Sequence, residues 1–435
     1  MRSLATKINS EIISRDRLAL TVLIGILAIA LFLRVLYLLN QDRMAIPVRH
    51  PDTYLYDMIP RHLLAGDGYV GENYLIVQKG KPTAFYGPVY PLFVAVIYWL
   101  FGYSFRYIQI AQILVSIATC YLVYASGRLL YGRRAGLLTA ALFAVYPELV
   151  AYPSAVLSET LFIFLEVLFV YLMARALSSD RPGAAIFAIA GGELAIAFLC
   201  RQVIALAPLT LLPFAVWRYR DCGFAWISKR AVAFALAAAI VIVPWSIRNY
   251  YALGTLSPGT TTGGVTFWWG NNTDRRGMDL PTALSEVKRK HPGLSEIEMN
   301  SLLYKLGVEE IAKKGPWGMA RLLWSKWGKI WMPYLFYEGK WRTLGLAQYA
   351  VIYALLAAGL YGSIALVRKS AGTLAVTAVL VSGIAVHLMT IGNSRYSLPF
   401  MPLLMITSAP VFISVARWAA ARARGMRSAM FISAA

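Results

Sequence analysis

The chain has 435 residues, 59% of them hydrophobic and only 14% charged, with a mean hydropathy of +0.59. Soluble domains carry about 25% charged residues, so this composition excludes an ordinary globular protein and points to a polytopic membrane protein. The net charge of +21 sits in short Lys/Arg clusters between apolar runs, which fits cytoplasmic membrane loops rather than a nucleic-acid partner.

A helical crossing needs roughly 20 apolar residues. Such runs fall at 18–39, 105–126, 135–152, 158–177, 184–200, 203–217, 231–247, 346–367, 372–391 and 398–416, predicting an all-α fold with about ten transmembrane helices. Leu18–Leu39 reads as a retained first span, since no small-residue cleavage site flanks it. Alternate connections carry the Arg/Lys clusters, which puts both termini in the cytoplasm. Residues 1–417 then form one transmembrane domain, and 418–435 a basic cytoplasmic tail. Connections 40–104 and 248–345 face outward. Three cysteines at unrelated spacings give no disulfide or metal signature.

The first outer connection carries the densest chemistry. It opens at His50 and Asp52, and Tyr54, Leu55, Met58, Ile59, Leu63 and Leu64 share one face of an expected interfacial helix. On spacing Asp52 reads first as a helix-capping carboxylate, which does not exclude a general base ringed by His50, Tyr54 and Tyr56. A Gly66–Gly68 turn, the cations Lys79 and Lys81, Tyr86 and a short aromatic helix to Phe101 follow. That last helix is too short to span comfortably and reads as re-entrant or interfacial.

Further along, Glu159 opens a span, where the helix dipole favours an acid. Glu166 and Glu193 lie deeper. Arg201, Arg248 and Arg395 stand at outer span ends; each suits either phosphate or lipid headgroups. In 248–345, Ser295 and Glu298 have capping-box spacing ahead of an apolar stripe, and Arg321–Tyr337 reads as an interfacial helix. This connection is expected to act as an ordered lid. There is no P-loop, no GxSxG and no His/Cys/Asp cluster at metal spacing.

The order of HPDTYLYDMIPRHLLAGDGY, PVYPLFVAVIYWLFG, SAVLSETLFIFLEVLFVYLMARAL, IAFLCRQ, VPWSIRNYYALGTLSPGTTTGG and NSRYSLPFMPLL resembles a known family. It is that of the polyprenyl-phosphate-sugar-dependent glycosyltransferases of GT-C fold, including protein O-mannosyltransferases and aminoarabinose transferases. The resemblance implies sugar transfer from a polyprenyl-phosphate carrier to an envelope glycolipid, polysaccharide or protein. The reaction would be inverting and would take place at the periplasmic face of the inner (plasma) membrane, among membrane lipids and without nucleic acid. It implies Asp52 as catalytic base and Arg201, Arg248 and Arg395 as holders of the carrier phosphate. Glu159 joins Asp52 as a catalytic candidate, and His50, Tyr54, Tyr56, Lys79, Lys81, Tyr86 and Tyr396 complete the expected substrate site. Tyr86-Gly87-Pro88 departs from the family pattern, which has Arg or Lys before that Pro, so Lys79 or Lys81 would supply the charge. No cofactor is evident; a divalent metal on Asp52 with Asp57 or Glu159 stays open. The alternative is a flippase for lipid-linked sugars gripping phosphate with the same arginines, although no inverted repeat is visible.

Overall fold

Residues 2–40, 51–72, 76–272, 279–332 and 342–423 are described by a computed structural model. The described residues are mostly helical. Helices α1 (Arg2–Leu39), α2 (Pro51–Ala65), α3 (Val89–Phe101), α4 (Phe105–Tyr131), α5 (Arg133–Val145), α6 (Pro147–Ala151), α7 (Glu159–Leu177), α8 (Ala184–Cys200), α9 (Ala207–Tyr219) and α10 (Phe224–Leu253) make the first part. Between α2 and α3 a two-residue ribbon pairs β1 (Val70–Gly71) antiparallel with β2 (Lys81–Pro82), Val70 opposite Pro82. Four helices fill the long later connection: α11 (Thr262–Asn271), α12 (Leu280–Lys290), α13 (Glu296–Ala312) and α14 (Gly315–Ile330). Helices α15 (Arg342–Ala365), α16 (Thr373–Met389) and α17 (Phe400–Ala423) complete the described residues.

The protein is a multi-pass membrane protein, but the expected ten spans are corrected by helix length. Among the described residues seven helices are long and apolar enough to cross: Arg17–Leu39, Phe105–Tyr131, Glu159–Leu177, Gln202–Cys222, Phe224–Leu253, Ala347–Ala365 and Phe400–Ala423. The expected span 135–152 is a pair of helices bent by 67°, an eighth crossing if taken together. The other two, α8 and α16, have 17 residues each, about 26 Å of helix against a hydrocarbon core of about 30 Å. Helix α17 runs to Ala423, past the expected boundary at 417, and the rest of the basic tail lies outside the described residues.

The 67° bend has a local cause. Pro147 lacks an N–H, and Tyr146 before it is extended at φ −66°, ψ 122°. Carbonyls at the end of α5 thereby lose helical partners in a buried place. Arg34 of α1, fully buried, supplies them: its guanidinium donates to the Ala144 carbonyl at 3.2 Å and the Phe143 carbonyl at 3.5 Å. Its Nε donates to Ser116 Oγ at 2.7 Å. Packing elsewhere relies on small residues. A Cβ on Gly191 would lie 2.1 Å from the Phe234 carbonyl, so α8 and α10 touch backbone to backbone.

The described residues form two hydrophobic cores. The larger joins the membrane helices and includes Phe143, Phe162, Phe169 and Phe400. The smaller joins the connection 51–88 to α11–α13 through Leu55, Ile59, Phe85, Trp268, Leu284, Met299 and Leu303. The expected capping box forms at the start of α13, with Ser295 and Glu298 bonded reciprocally. Helix α14 begins at Gly315, earlier than expected, and exposes Trp317 and Trp324.

Arg34→Met strips buried carbonyls of their donor and is expected to cost about 2–4 kcal/mol. Arg17→Met, at an exposed position, should stay within about 0.5 kcal/mol. Thermal unfolding in detergent measures both.

Candidate active site

Four charged residues from four segments meet at one end of the bundle. Asp52 lies in the first turn of α2, and its carboxylate reaches outward to other elements. Its Oδ1 accepts the Tyr86 hydroxyl at 2.8 Å and its Oδ2 accepts Arg395 Nη1 at 2.8 Å. Arg395 is delivered by a tight turn between α16 and α17, which Asn393 opens by accepting the Arg395 N–H at 3.1 Å. Arg395 Nε also donates to Glu159 Oε1 at the start of α7. Arg201 follows α8 in extended conformation and donates from Nη1 to the same Glu159 oxygen at 2.8 Å and to Ser158 Oγ at 3.1 Å. The result is one chain of alternating charge, Asp52–Arg395–Glu159–Arg201.

Access divides the four. Glu159 and Arg395 are buried, with side chains 1% and 8% exposed, whereas Asp52 and Arg201 retain 28% and 18%. The two reachable groups are therefore a carboxylate and a guanidinium, and the buried pair holds them in register. Burial works against charge on Arg395, but Glu159 and Asp52 more than offset it, holding the guanidinium well above its ordinary value. For Arg201, burial is again outweighed, chiefly by Glu159.

Tyrosines wall the site. Tyr56 stacks on Tyr86 at 4.5 Å, meets Tyr90 edge-on at 4.6 Å and donates to Ser158 Oγ at 3.1 Å. Burial, then the Asp52 carboxylate, pushes the Tyr86 hydroxyl well up, so it stays protonated and keeps donating to Asp52. Gly87 lets this segment lie against α8: a Cβ there would sit 2.0 Å from the Leu199 carbonyl. Tyr396 stacks on His387 at 4.5 Å and lies 5.9 Å beneath the Arg201 guanidinium. Among the described residues no three His, Cys, Asp or Glu side chains gather as metal ligands. Asp57, a possible partner for such a metal, is instead bonded to Arg61 at 3.0 Å and to Tyr98.

Known proteins can be set beside this arrangement. The archaeal oligosaccharyltransferase AglB from Archaeoglobus fulgidus, in complex with an inhibitory peptide and a dolichol-phosphate, is similar at a TM-score of 0.57 and 16% identity. The match covers 95% of this chain and 53% of that one. The apo form of the oligosaccharyltransferase from the same organism gives 0.58 and 17%, over 94% and 52%. The chain has the GT-C fold. It spans about half the length of these structures. Residues 81–247 match a family model described as dolichyl-phosphate-mannose-protein mannosyltransferase. ArnT from Cupriavidus metallidurans bound to undecaprenyl phosphate has a TM-score of 0.41 at 14% identity, over 94% of this chain and 81% of that one. No curated protein matches the sequence.

Within this GT-C chain the structure gathers Asp52, Tyr56, Tyr86, Glu159, Arg201, Arg395 and Tyr396 of the expected site. It does not bring in the others. Arg248 is committed to backbone, donating to the Thr83 carbonyl at 2.7 Å and the Tyr69 carbonyl at 2.8 Å between the Tyr69 and Trp245 rings. Tyr54 is exposed and donates to Glu72 at 2.9 Å. Lys79, 4.0 Å from Glu72 in the turn before β2, and Lys81 on β2 are exposed. His50 lies outside the described residues. Sequence reasoning passed over Gln202, whose carbonyl accepts Thr260 Oγ1 at 2.7 Å beside Arg201. Neighbouring position to Arg201 was the one available signal.

Arg395→Met leaves Asp52 and Glu159 short of their shared cation in a dry place, an expected loss of about 3–5 kcal/mol. Asp52→Asn, at the solvent-reachable end, is expected to cost about 1 kcal/mol. Melting temperatures of the purified variants in one detergent separate the two.

Proposed function

We propose that this protein is an integral membrane glycosyltransferase that moves a sugar from a polyprenyl-phosphate carrier to an envelope acceptor at the outer membrane face. The observation that carries the reading is the alternating chain itself. It presents a reachable carboxylate and a reachable guanidinium on one rigid frame, in a GT-C fold. The family description for residues 81–247 and the dolichol-phosphate bound to the archaeal structure support the same donor class.

The chemistry is a single displacement. The acceptor nucleophile attacks the anomeric carbon as its proton passes to Asp52. The bond from that carbon to the phosphate oxygen breaks with inversion, and polyprenyl phosphate leaves with one more negative charge than it had as a diester. Arg201, with Arg395 behind it, stabilises that charge where it develops. Glu159, buried and bonded to both arginines, acts as a positioning residue rather than an acid or base. Tyr86 holds Asp52 in place, Arg248 organises the loop that carries Tyr86, and Tyr56 and Tyr396 wall the site. Lys79 and Lys81 have no part in holding phosphate.

Purified protein in nanodiscs, given a panel of polyprenyl-phosphate sugars and an extract of envelope acceptors, tests this by release of free polyprenyl phosphate. Asp52→Asn should lower acceptor-dependent release by about 100-fold or more while the protein stays folded; wild-type turnover in that variant removes Asp52 as the base. No release from any donor, with labelled lipid still crossing the bilayer, would make the protein a flippase. Arg201→Met is expected to raise the donor KM or lower kcat by about tenfold or more. Lys79→Ala and Lys81→Ala should stay within about twofold, and equal losses in all three would contradict the assignment.

A further inference from the structure

The loop that carries Tyr86 is gripped by two opposite charges from distant parts of the chain. Glu296, the first residue of α13, is 7% exposed. Its Oε2 accepts the Thr83 hydroxyl at 2.7 Å, and its Oε1 accepts the Ala84 N–H at 3.0 Å and the Thr261 hydroxyl at 2.5 Å. Arg248 donates to the Thr83 carbonyl at 2.7 Å. The Thr83 carbonyl and the Ala84 N–H belong to one peptide unit. In a trans peptide they point in opposite directions, so a carboxylate holds the positive end of that dipole and a guanidinium the negative end. Charge-assisted bonds of this kind are about twice as strong as neutral ones.

Two further bonds carry the constraint along the loop. The Thr83 hydroxyl oxygen also accepts the Phe85 N–H at 2.9 Å, and the Thr261 N–H donates to the Ala84 carbonyl at 2.9 Å. Tyr69, whose carbonyl takes the second arm of Arg248, donates its hydroxyl to the Tyr86 carbonyl at 3.0 Å and the Gly87 carbonyl at 3.1 Å. The next side chain along is Tyr86, bonded to Asp52.

We propose that Glu296 is a positioning residue of the reaction: opposite Arg248 it fixes the Thr83–Ala84 peptide plane and so aims the Tyr86 hydroxyl at Asp52. The inference rests on the transferase reading for its kinetic consequence, but the positioning itself is read without turnover. Glutamine at 296 keeps the size and one carbonyl oxygen, yet presents an N–H₂ where a carboxylate oxygen now accepts.

The experiment pairs a double-mutant cycle with hydrogen exchange. E296Q is expected to lower kcat about tenfold with donor KM changed less than about twofold, and to lower it less than about twofold further in a Tyr86→Phe background. The same loss in both backgrounds, or none in either, overturns the proposal. Amide exchange at Ala84–Tyr86 in substrate-free protein should quicken about tenfold in E296Q with α4 and α7 unchanged; unaltered exchange also overturns it. If wild type releases no polyprenyl phosphate, the transferase reading falls and exchange alone decides the positioning. If wild type turns over and the cycle is additive, the positioning falls and the transferase stands. Should E296Q not fold, Thr261→Val removes one donor to the same carboxylate and the cycle is repeated with it.

Discussion

The charge on Arg395 is the constraint around which the site end of the bundle is built. A guanidinium almost out of water costs several kcal/mol unless it is paired and hydrogen-bonded. Its partners are Asp52, 343 residues away in sequence, and Glu159, 236 residues away. Satisfying one side chain therefore requires α2, α7 and the turn before α17 to converge. Arg201 adds α8 by sharing the same Glu159 oxygen. A chain of ion pairs whose inner members are dry is costly to break at its buried links, so Arg395 and Glu159 tie these segments together.

The smaller core has a different task. Leu55 and Ile59 of α2 share one core with Phe85, Trp268, Leu284 and Leu303, so the helix bearing Asp52 is supported by the connection that bears Glu296. Apolar contact sets the distance between these layers, and the bonds of Glu296 and Arg248 set the angle of the loop between them. Trp268 spends its ring in that core at 2% exposure.

Much of this was legible in the sequence, and for a physical reason. Ionisable groups are scarce in a chain this apolar, so those beside spans stand out, and Asp52, Glu159, Arg201 and Arg395 do meet. Arg248 gave the same signal and went elsewhere, because a guanidinium at a span end satisfies loop carbonyls as readily as phosphate. Hydropathy located all ten helical segments but not their reach: α8 and α16 stop at 17 residues, and Pro147, plain in the sequence, bends what its apolar content made look like one straight span. Glu296 was illegible. It sits beside Ser295 and Glu298, whose capping pattern explains a local acid, while its true partner Thr83 is 213 residues away.

The alternating chain holds two carboxylates and two guanidiniums, and so is electrically balanced with its cations already spoken for. A phosphate diester arriving at Arg201 would meet a guanidinium already paired and would draw it part-way from Glu159. On the reading proposed above, whatever pull it exerts on Arg201 passes through Glu159 to Arg395 and loosens the hold on Asp52. The donor would then unmask the base that its own reaction needs, and an acceptor arriving first would find that base still occupied. On that reading, order of binding would follow from the coupling of these four charges.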